Sequence, residues 1–175
     1  MRWTHVGDGP LFDEVRAYAR KHLDARAQAV FKGYLTQVEL RELYREQSFD
    51  VIVNVSDQEG IPVSLMEASS AGIPMVATDV GGNAEIVNAA NGVLIPADPD
   101  TATIAAAIAR FGDRGAARQY RRAARASWEA RFNAATNYAL FGDRLADGAG
   151  TPSREAARNS ATTLGLARGD DPSAS

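Results

Sequence analysis

Residues 49–78 read FDVIVNVSDQEGIPVSLMEASSAGIPMVAT, and this segment decides the fold. It opens with a nearly continuous run of β-branched residues, which is typical of a strand that is covered on both faces. A loop containing Gly60 and Pro62 follows, and then a helical pattern over residues 64–71 that ends at Gly72. Residues 74–78 form the next apolar run. The segment therefore predicts a strand–helix–strand unit whose two strands run parallel.

The same alternation of apolar runs and helical patterns extends to both sides of this segment. Further strands are predicted over residues 3–6, 29–31 and 93–95, with helices between them. Five strands separated by helices predict an α/β fold: a Rossmann-like, doubly wound parallel sheet with a helical C-terminal extension. Ligands of such sheets bind at the carboxyl ends of the strands. The loops after residues 6, 31, 55 and 78 therefore form the expected functional edge.

Two helices near the N-terminus carry more detailed predictions. Thr36 and Glu39 have the spacing of a capping box, so a helix is expected to begin after Thr36. A helix over residues 11–23 is expected to turn one stripe of side chains toward the core, formed by Leu11, Val15, Tyr18, Ala19 and His22. Structural roles are expected for His5, in a strand, and for His22, at a helix end.

Composition excludes several classes of function. The chain has 175 residues, a mass of 18.7 kDa and a net charge of −3, which argue against two full α/β domains and against a strongly basic nucleic-acid binder. It has no cysteine and two histidines, so thiol nucleophiles, thiolate metal sites and a histidine-built zinc site lack their residues. Neither a signal peptide nor a long apolar stretch is visible, which predicts a soluble, cytoplasmic protein.

The composition changes near residue 147. Residues 147–175 contain two leucines, no aromatic residue and abundant Gly, Ser, Thr and Asp. Such a segment buries too little apolar surface to offset the entropy of ordering. We therefore expect one folded domain over residues 1–146 and a disordered tail over residues 147–175.

The loop before the helix at residues 64–71 has the features of an anion-binding site. Unpaired N–H groups and the dipole at a helix N-terminus attract negative charge, and Gly60 lets the backbone approach a ligand closely. Glu59 and Glu67 add two carboxylates that can accept hydroxyl donors, such as those of a sugar or a ribose. The residues therefore favour a phosphorylated, hydroxyl-rich ligand. Carboxylates in surface salt bridges are the alternative.

At these positions the chain resembles a known family. The pattern S-x-x-E-G-x-P-x-S-L-x-E-A, with Glu59 and Glu67 as its E-x7-E pair, is similar to the signature of family-four retaining glycosyltransferases of the GT-B fold, the group 1 type. The resemblance covers most of residues 2–145 and includes the turns at residues 6–10, 31–34 and 81–82. It implies that residues 1–146 are the C-terminal, donor-binding half of such an enzyme, without its first strand.

The resemblance implies a role for each part of the motif. Glu59 would be the catalytic-site carboxylate at the donor sugar, which would also be lined by the backbone of Gly60, Ile61, Pro62 and Val63. The diphosphate would bind the N–H groups of Ser64 and Leu65, and the ribose would bind Glu67. The nucleobase would meet the turn formed by Gly33, Tyr34 and Leu35. For the turn at Gly81 and Gly82, a position near the sugar and a plain tight turn both remain open.

The implied activity is the transfer of a hexose from a UDP-, GDP- or ADP-sugar to an acceptor, with retention and with the leaving phosphate as the base. Neither a metal nor another cofactor is expected, because the family holds the nucleotide with a helix dipole and basic side chains. The expected partners are the nucleotide sugar and either a separate N-terminal acceptor domain or a second copy of the chain. No nucleic acid is expected.

Departures from the family pattern leave alternatives. The Arg and Lys that neutralise the diphosphate in the family, and its N-terminal acceptor domain, have no counterpart in this sequence. Weak or no transfer by the chain alone is therefore expected. A non-catalytic nucleotide-sugar-binding module, or a remnant that needs a separate acceptor domain, is the alternative. An oxidoreductase is disfavoured because Phe12 replaces the third glycine of a G-x-G-x-x-G fingerprint that would begin at Gly7.

A set of arginines recurs at helical spacing between residues 114 and 125. They are Arg114, Arg118, Arg121, Arg122 and Arg125. A surface for anionic lipid or an acidic acceptor is one interpretation, and a solvated helix face over a packed apolar stripe is the other. We favour the solvated face, so membrane association is not expected.

Overall fold

The computed structural model of the chain describes residues 1–149, with side chains as far as residue 146. Strands and helices alternate in the predicted order. They are β1 (Arg2–His5), α1 (Phe12–His22), β2 (Gln28–Phe31), α2 (Gln37–Glu46), β3 (Ile52–Asn54), α3 (Val63–Ser70), β4 (Met75–Thr78), α4 (Asn83–Ile86), β5 (Gly92–Ile95), α5 (Thr101–Ala109), a 3₁₀ turn (Arg110–Gly112), α6 (Arg114–Arg131) and α7 (Ala134–Ala149). Two compact units result, residues 1–130 and a second unit that begins at Arg131.

The strands of the first unit form two parallel sheets rather than the single sheet that was predicted. One sheet pairs β1 with β2, and the other has the order β3-β4-β5. Parallel pairing is confirmed in both. The expectation of one continuous sheet is wrong for the described residues, because β1 and β3 do not hydrogen-bond to each other and each leaves one edge unpaired.

Strand β3 corrects a second expectation. Its run of β-branched residues predicted a strand covered on both faces, but Val53 is 39% exposed and the following Val55 is 51% exposed. Strand β3 is one of the two outer strands of its sheet, the other being β5. Strand β4 lies between β3 and β5, and all four of its residues are buried. The apolar run of β3 therefore forms an edge strand, and the fully buried strand is β4.

The core of the first unit lies between the three-stranded sheet and the helices that follow it. Val76 of β4 and Ile95 of β5 pack with Ala107 of α5 and with Phe111. Tyr120 of α6 meets the Phe111 ring edge-on, with a centroid distance of 5.0 Å. Burial of such side chains is the main stabilising term in a domain of this size.

The sequence predictions for the first two helices, α1 and α2, are confirmed in part. Glu39 N–H donates to the Thr36 hydroxyl and Thr36 N–H donates to the Glu39 carboxylate, so the predicted capping box is present. The stripe predicted for α1 is wrong at Leu11, Tyr18 and His22, which are all exposed. Tyr18 instead stacks on His22 at a centroid distance of 4.1 Å, and Ala19 is the buried residue of this helix.

The arginine face of α6 is more than a solvated surface. The Arg121 guanidinium donates to the Phe49 carbonyl, at the segment that leads into β3. The Arg125 guanidinium donates to the Ser70 carbonyl, at the last residue of α3. Charged donors on backbone carbonyls are strong hydrogen bonds. Helix α6 therefore ties the two ends of the β3–α3 segment.

The second unit is described as far as Ala149 and consists mainly of α7. Asn133 starts this helix, because its side-chain oxygen accepts the Ala135 N–H at 3.1 Å. The helix continues to Ala149 and so includes the first three residues of the predicted tail; the rest of that prediction, residues 150–175, lies outside the described residues. The domain boundary at residue 146 stays a prediction. Among residues 1–149, no helix combines the length and apolar character that a bilayer span requires.

Candidate functional site

Glu59 lies in the loop that leads from the carboxyl end of β3 to α3, as predicted. Its side chain is half-buried, and its carboxylate oxygen Oε1 accepts two hydrogen bonds. The donors are the Asn54 side-chain amide at 2.9 Å and the Ser56 hydroxyl at 2.8 Å. Bonds to an ionised carboxylate are stronger than those between neutral groups. The loop therefore presents Glu59 in a fixed orientation.

The two donors are held in turn by the strands beneath them. The Asn54 side-chain oxygen accepts the Ser56 N–H at 3.0 Å, which also fixes which end of the Asn54 amide faces Glu59. The Ser56 carbonyl accepts the hydroxyl of Thr78 at 2.6 Å. Thr78 is fully buried at the end of β4. A continuous set of hydrogen bonds therefore joins Glu59 to the buried strand.

The turn at Gly81 and Gly82 packs directly against the backbone of the Glu59 loop. Gly82 N–H donates to the Gly60 carbonyl at 2.7 Å. Gly81 has φ +50°, and a Cβ at that position would lie 1.8 Å from the Glu59 carbonyl oxygen. Only glycine fits such an approach. The turn is therefore more than a tight connection, because it supports the loop that carries Glu59, while its position near a sugar stays a prediction.

Helix α3 begins at Val63, one residue earlier than predicted, with Pro62 at its N-cap. The side chains of Ile61 and Val63 are exposed, and the Leu65 side chain is fully buried. The Leu65 N–H donates to the Pro62 carbonyl at 3.2 Å. Of the two amides expected to bind a diphosphate, Ser64 is therefore better placed, since the first N–H groups of a helix have no partner within it.

Glu67 lies on α3 and is half-buried, close to a residue that sequence reasoning did not assign to the site. That residue is Tyr44 of α2, where burial and the nearby Glu67 carboxylate raise the phenol pKa to about 12. Burial is the larger cause, because it disfavours the charged phenolate. The Glu67 carboxylate thus lies near enough to Tyr44 of α2 to act on its pKa.

The turn predicted for the nucleobase follows β2. Gly33 has φ +68°, and its carbonyl accepts the Gly7 N–H at 2.8 Å, so the turns after β1 and β2 are joined. Tyr34 is exposed and Leu35 is half-buried. An exposed aromatic ring can stack on a base. The structure does not place this turn and Glu59 in direct contact.

Two open clefts lie away from these loops. One, of about 470 Å³, is lined by residues of α1 and β2, among them Arg16, Arg20 and Phe31. The other, of about 420 Å³, is apolar and is lined by Met1 and α5. The predicted donor site is exposed to solvent at Ile61, Val63 and Ser64.

Four residues of the site were missed as functional groups by sequence reasoning. Asn54, Ser56 and Thr78 form the hydrogen-bonded support of Glu59, and Tyr44 faces Glu67. Ser56 was within the recognised pattern, so its position was a usable signal. Tyr44 had none, because its proximity to Glu67 depends on the tertiary fold.

Known proteins resemble the chain in sequence. The family model described as Glycosyl transferases group 1 matches residues 1–113. The chain is 38% identical to the glycogen synthase of Mycobacterium tuberculosis over 124 residues, which are 70% of this chain and 29% of that enzyme. It is 40% identical to the putative glycosyltransferase EpsF of Bacillus subtilis over 74 residues, which are 42% of this chain and 18% of that protein. The chain thus spans less than a third of the length of these relatives.

Solved structures share the architecture. Sucrose-phosphate synthase from Thermosynechococcus elongatus aligns with a TM-score of 0.69 and 23% identity, over 82% of this chain and 37% of that chain. HepE from Anabaena, solved in complex with UDP-glucose, aligns with a TM-score of 0.67 and 23% identity, over 82% of this chain and 40% of that chain. At such low identity the likeness shows the fold alone, and it confirms the predicted α/β, Rossmann-like class.

Proposed function

The chain belongs to the glycosyl transferases group 1 family, and from this premise we propose that it is the donor-binding part of a glycosyltransferase. It binds a nucleoside-diphosphate sugar, from which a hexose passes to an acceptor hydroxyl with retention of the anomeric configuration. The named glycosyltransferases among its relatives support the enzyme class. HepE, which was solved with UDP-glucose, supports a nucleotide sugar as the donor.

One observation carries this proposal: a half-buried carboxylate held by two donors at the carboxyl end of β3. This edge is where ligands of Rossmann-like sheets bind. Glu59 accepts hydroxyls of the donor sugar, and the start of α3 at Ser64 offers N–H groups to the diphosphate. Glu67 accepts the ribose hydroxyls, and the turn at Gly33, Tyr34 and Leu35 meets the base.

The proposed transfer balances without a protein nucleophile. The bond between the anomeric carbon and the diphosphate oxygen breaks, and a bond from that carbon to the acceptor oxygen forms on the same face. The acceptor proton passes to the leaving phosphate oxygen. The products are a glycoside and a nucleoside diphosphate. Glu59 orients the sugar in this scheme, and its catalytic contribution comes from that positioning.

The proposal also includes the cofactor requirement and the cellular location of the reaction. No metal or organic cofactor takes part, because the helix N-terminus and backbone amides attract the diphosphate directly. The reaction takes place in the cytoplasm, a location with which the absence of cysteine in the sequence is compatible.

Titration calorimetry of the purified chain with UDP, GDP and ADP, and with their glucose or mannose conjugates, tests donor binding. We expect one nucleotide to bind in the micromolar to millimolar range, or about 4 to 8 kcal/mol. Glu67→Ala removes an acceptor for two ribose hydroxyls, so it should weaken that binding about tenfold or more. Glu14→Ala removes an exposed carboxylate of α1 and serves as the matched control.

The result of these titrations can support or contradict the proposal. Loss of affinity in Glu67→Ala, with Glu14→Ala unchanged, supports a working donor site and identifies its base. A chain that is folded by circular dichroism and binds none of the nucleotides would contradict the proposal.

A second candidate is a non-catalytic nucleotide-sugar-binding module that needs a separate acceptor domain. The observation that favours it is the exposure of Val53 and Val55, two apolar side chains in and after β3. Release of the nucleoside diphosphate from the bound sugar nucleotide, assayed with a panel of sugar acceptors, separates the two candidates. Turnover by the chain alone supports the enzyme, and tight binding without turnover supports the module.

A further inference from the structure

The two carboxylate oxygens of Glu59 are used unequally. Oε1 accepts the hydrogen bonds from Asn54 and Ser56, and within residues 1–149 no donor lies on Oε2. A carboxylate oxygen has two lone pairs and accepts about two hydrogen bonds. Oε1 is therefore saturated, and Oε2 is the oxygen that remains for a hydroxyl of a ligand.

The donors to Oε1 are anchored rather than mobile. Asn54 ends β3, and its side-chain amide is engaged at both ends, by the Ser56 N–H and by Glu59. Ser56 is held through its carbonyl by the buried Thr78 hydroxyl at 2.6 Å. Rotation of the Asn54 side chain would break both of its hydrogen bonds, and the backbone that carries the Ser56 hydroxyl is fixed by Thr78, so the orientation of the carboxylate is determined by the ends of β3 and β4.

The backbone of Glu59 is held from the opposite side. Gly81 approaches the Glu59 carbonyl so closely that a Cβ would lie 1.8 Å from its oxygen. Gly82 N–H bonds the next carbonyl, that of Gly60. The side chain and the main chain of Glu59 are thus fixed by separate sets of contacts.

We propose that Asn54 and Ser56 are positioning residues, which hold the Glu59 side chain so that Oε2 receives a hydroxyl of the donor sugar. The inference rests on the proposed function and deepens it, because it names the residues that orient the sugar-binding carboxylate. A group held in its bound orientation loses less conformational freedom when the ligand arrives. The effect falls on the sugar part of the donor and spares the nucleotide part.

A merely structural role makes a different prediction. Asn54 and Ser56 form a local side-chain turn, and such turns stabilise loops without any ligand. If that were their whole role, removal of the Ser56 hydroxyl would weaken the nucleotide and the nucleotide sugar equally. The ratio of the two affinities therefore separates positioning from loop stability.

The first test needs no ligand. In ¹⁵N-correlated spectra, Glu59→Ala should shift the side-chain amide proton resonances of Asn54 upfield, because the charged acceptor is lost. Glu14→Ala should leave those resonances unchanged. Asn54 resonances that do not respond to Glu59→Ala would overturn the inference.

The second test compares UDP with UDP-glucose, and GDP with GDP-mannose, by calorimetry. The variants are Ser56→Ala, the conservative Ser56→Thr, and Ser48→Ala as a control at an exposed serine before β3. Ser56→Ala should reduce the preference for the sugar nucleotide over its nucleoside diphosphate about fivefold, the value of one modest hydrogen bond. Ser56→Thr should restore that preference, and Ser48→Ala should not alter it.

Failure of this inference and failure of the proposed function give different results. The positioning role alone is overturned if the wild-type chain binds a nucleotide and if Ser56→Ala and Ser56→Thr show the same preference for the sugar nucleotide over its nucleoside diphosphate. Equal weakening of both ligands in Ser56→Ala assigns Ser56 to loop stability and also overturns it. A folded wild-type chain that binds no nucleotide overturns both proposals.

Discussion

The two halves of the first unit differ in how they are held together. Residues 1–50, with the β1–β2 sheet, contain two of the fifteen buried apolar residues found within residues 1–146, namely Ala19 and Leu43. The other thirteen lie in or after the three-stranded sheet, whose central strand β4 is buried throughout. We call residues 51–130 the dense half and residues 1–50 the thin half. The loop that carries Glu59 belongs to the dense half, and the turn at Gly33 belongs to the thin half. We infer that side-chain positions are set more rigidly around the proposed sugar site than around the proposed base site.

The thin half relies on ring contacts and helix caps instead of deep burial. Trp3 and Phe31 lie 5.3 Å apart between centroids, and Phe12 meets Phe31 edge-on at 5.7 Å. Such aromatic pairs each contribute about 0.5–1.5 kcal/mol beyond their buried area. His5 takes part in this cluster, which agrees with the structural role expected for it. The four predictions below test this contrast.

The largest effect is expected from truncation of the buried strand. Met75→Ala should reduce the free energy of unfolding by about 2–5 kcal/mol, because the fully buried side chain leaves a cavity in β4. Val30→Ala in β2, which is half-buried, should cost about 1 kcal/mol. Urea denaturation followed by circular dichroism measures both. Equal losses would remove the distinction between the halves.

Glycine substitutions compare the two halves at matched backbone angles. Gly81→Ala and Gly33→Ala both place a Cβ at positive φ, but only Gly81 has a neighbour within 4 Å, the Glu59 backbone. We expect a loss of about 2–4 kcal/mol for Gly81→Ala, from strain and overlap together, and about 1 kcal/mol for Gly33→Ala, from strain alone. Thermal or urea unfolding distinguishes them. A smaller loss at Gly81 than at Gly33 would show that the Glu59 loop yields easily.

A titration at high pH tests whether Tyr44 of the thin half lies near Glu67 of the dense half. The folded pKa of Tyr44 is raised to about 12, above its ordinary value of 10.0. Its stabilising contribution is therefore complete below pH 10 and is lost as the pH rises through 12, by about 2–3 kcal/mol. Phenolate absorbance should show a late titration that Tyr44→Phe removes and that Glu67→Gln moves to lower pH. A late titration unaffected by Glu67→Gln would mean that burial alone raises the pKa.

The smallest effect is expected at the capping box of the thin half. Thr36→Ala should cost about 1 kcal/mol, because it removes the acceptor for the Glu39 N–H. The Thr36 hydroxyl and N–H also hold the pKa of Glu39 below its ordinary value, so the box is complete at neutral pH and weakens as acid protonates Glu39. Unfolding measured at neutral and acidic pH checks both points. Thr136→Ala, on the exposed surface of α7, serves as the control, with an expected change within about 0.5 kcal/mol.

Structural features that depend on neighbouring residues could be predicted from the sequence. Features that depend on contacts between distant segments could not. The order of the elements and the Thr36–Glu39 box follow from periodicity and cap chemistry within a few positions. Whether Val53 is buried depends on which elements pack on its face of β3, and that is not a property of β3 itself. The motif indicated Glu59 and Glu67, since both belong to one short pattern. The support of Glu59 by Thr78 and Gly81, and the proximity of Glu67 to Tyr44, depend on tertiary packing and could not be predicted locally.

The two arginine bonds of α6 have a consequence for the order of folding. Arg121 reaches Phe49 across 72 residues of chain, and Arg125 reaches Ser70 across 55. Contacts of such long sequence separation close large loops and form late on average. During synthesis the β3–α3 segment therefore leaves the ribosome well before the helix that secures both of its ends. Slower synthesis between residues 70 and 114 should lengthen that exposed interval, whereas slower synthesis before residue 49 should have no such effect.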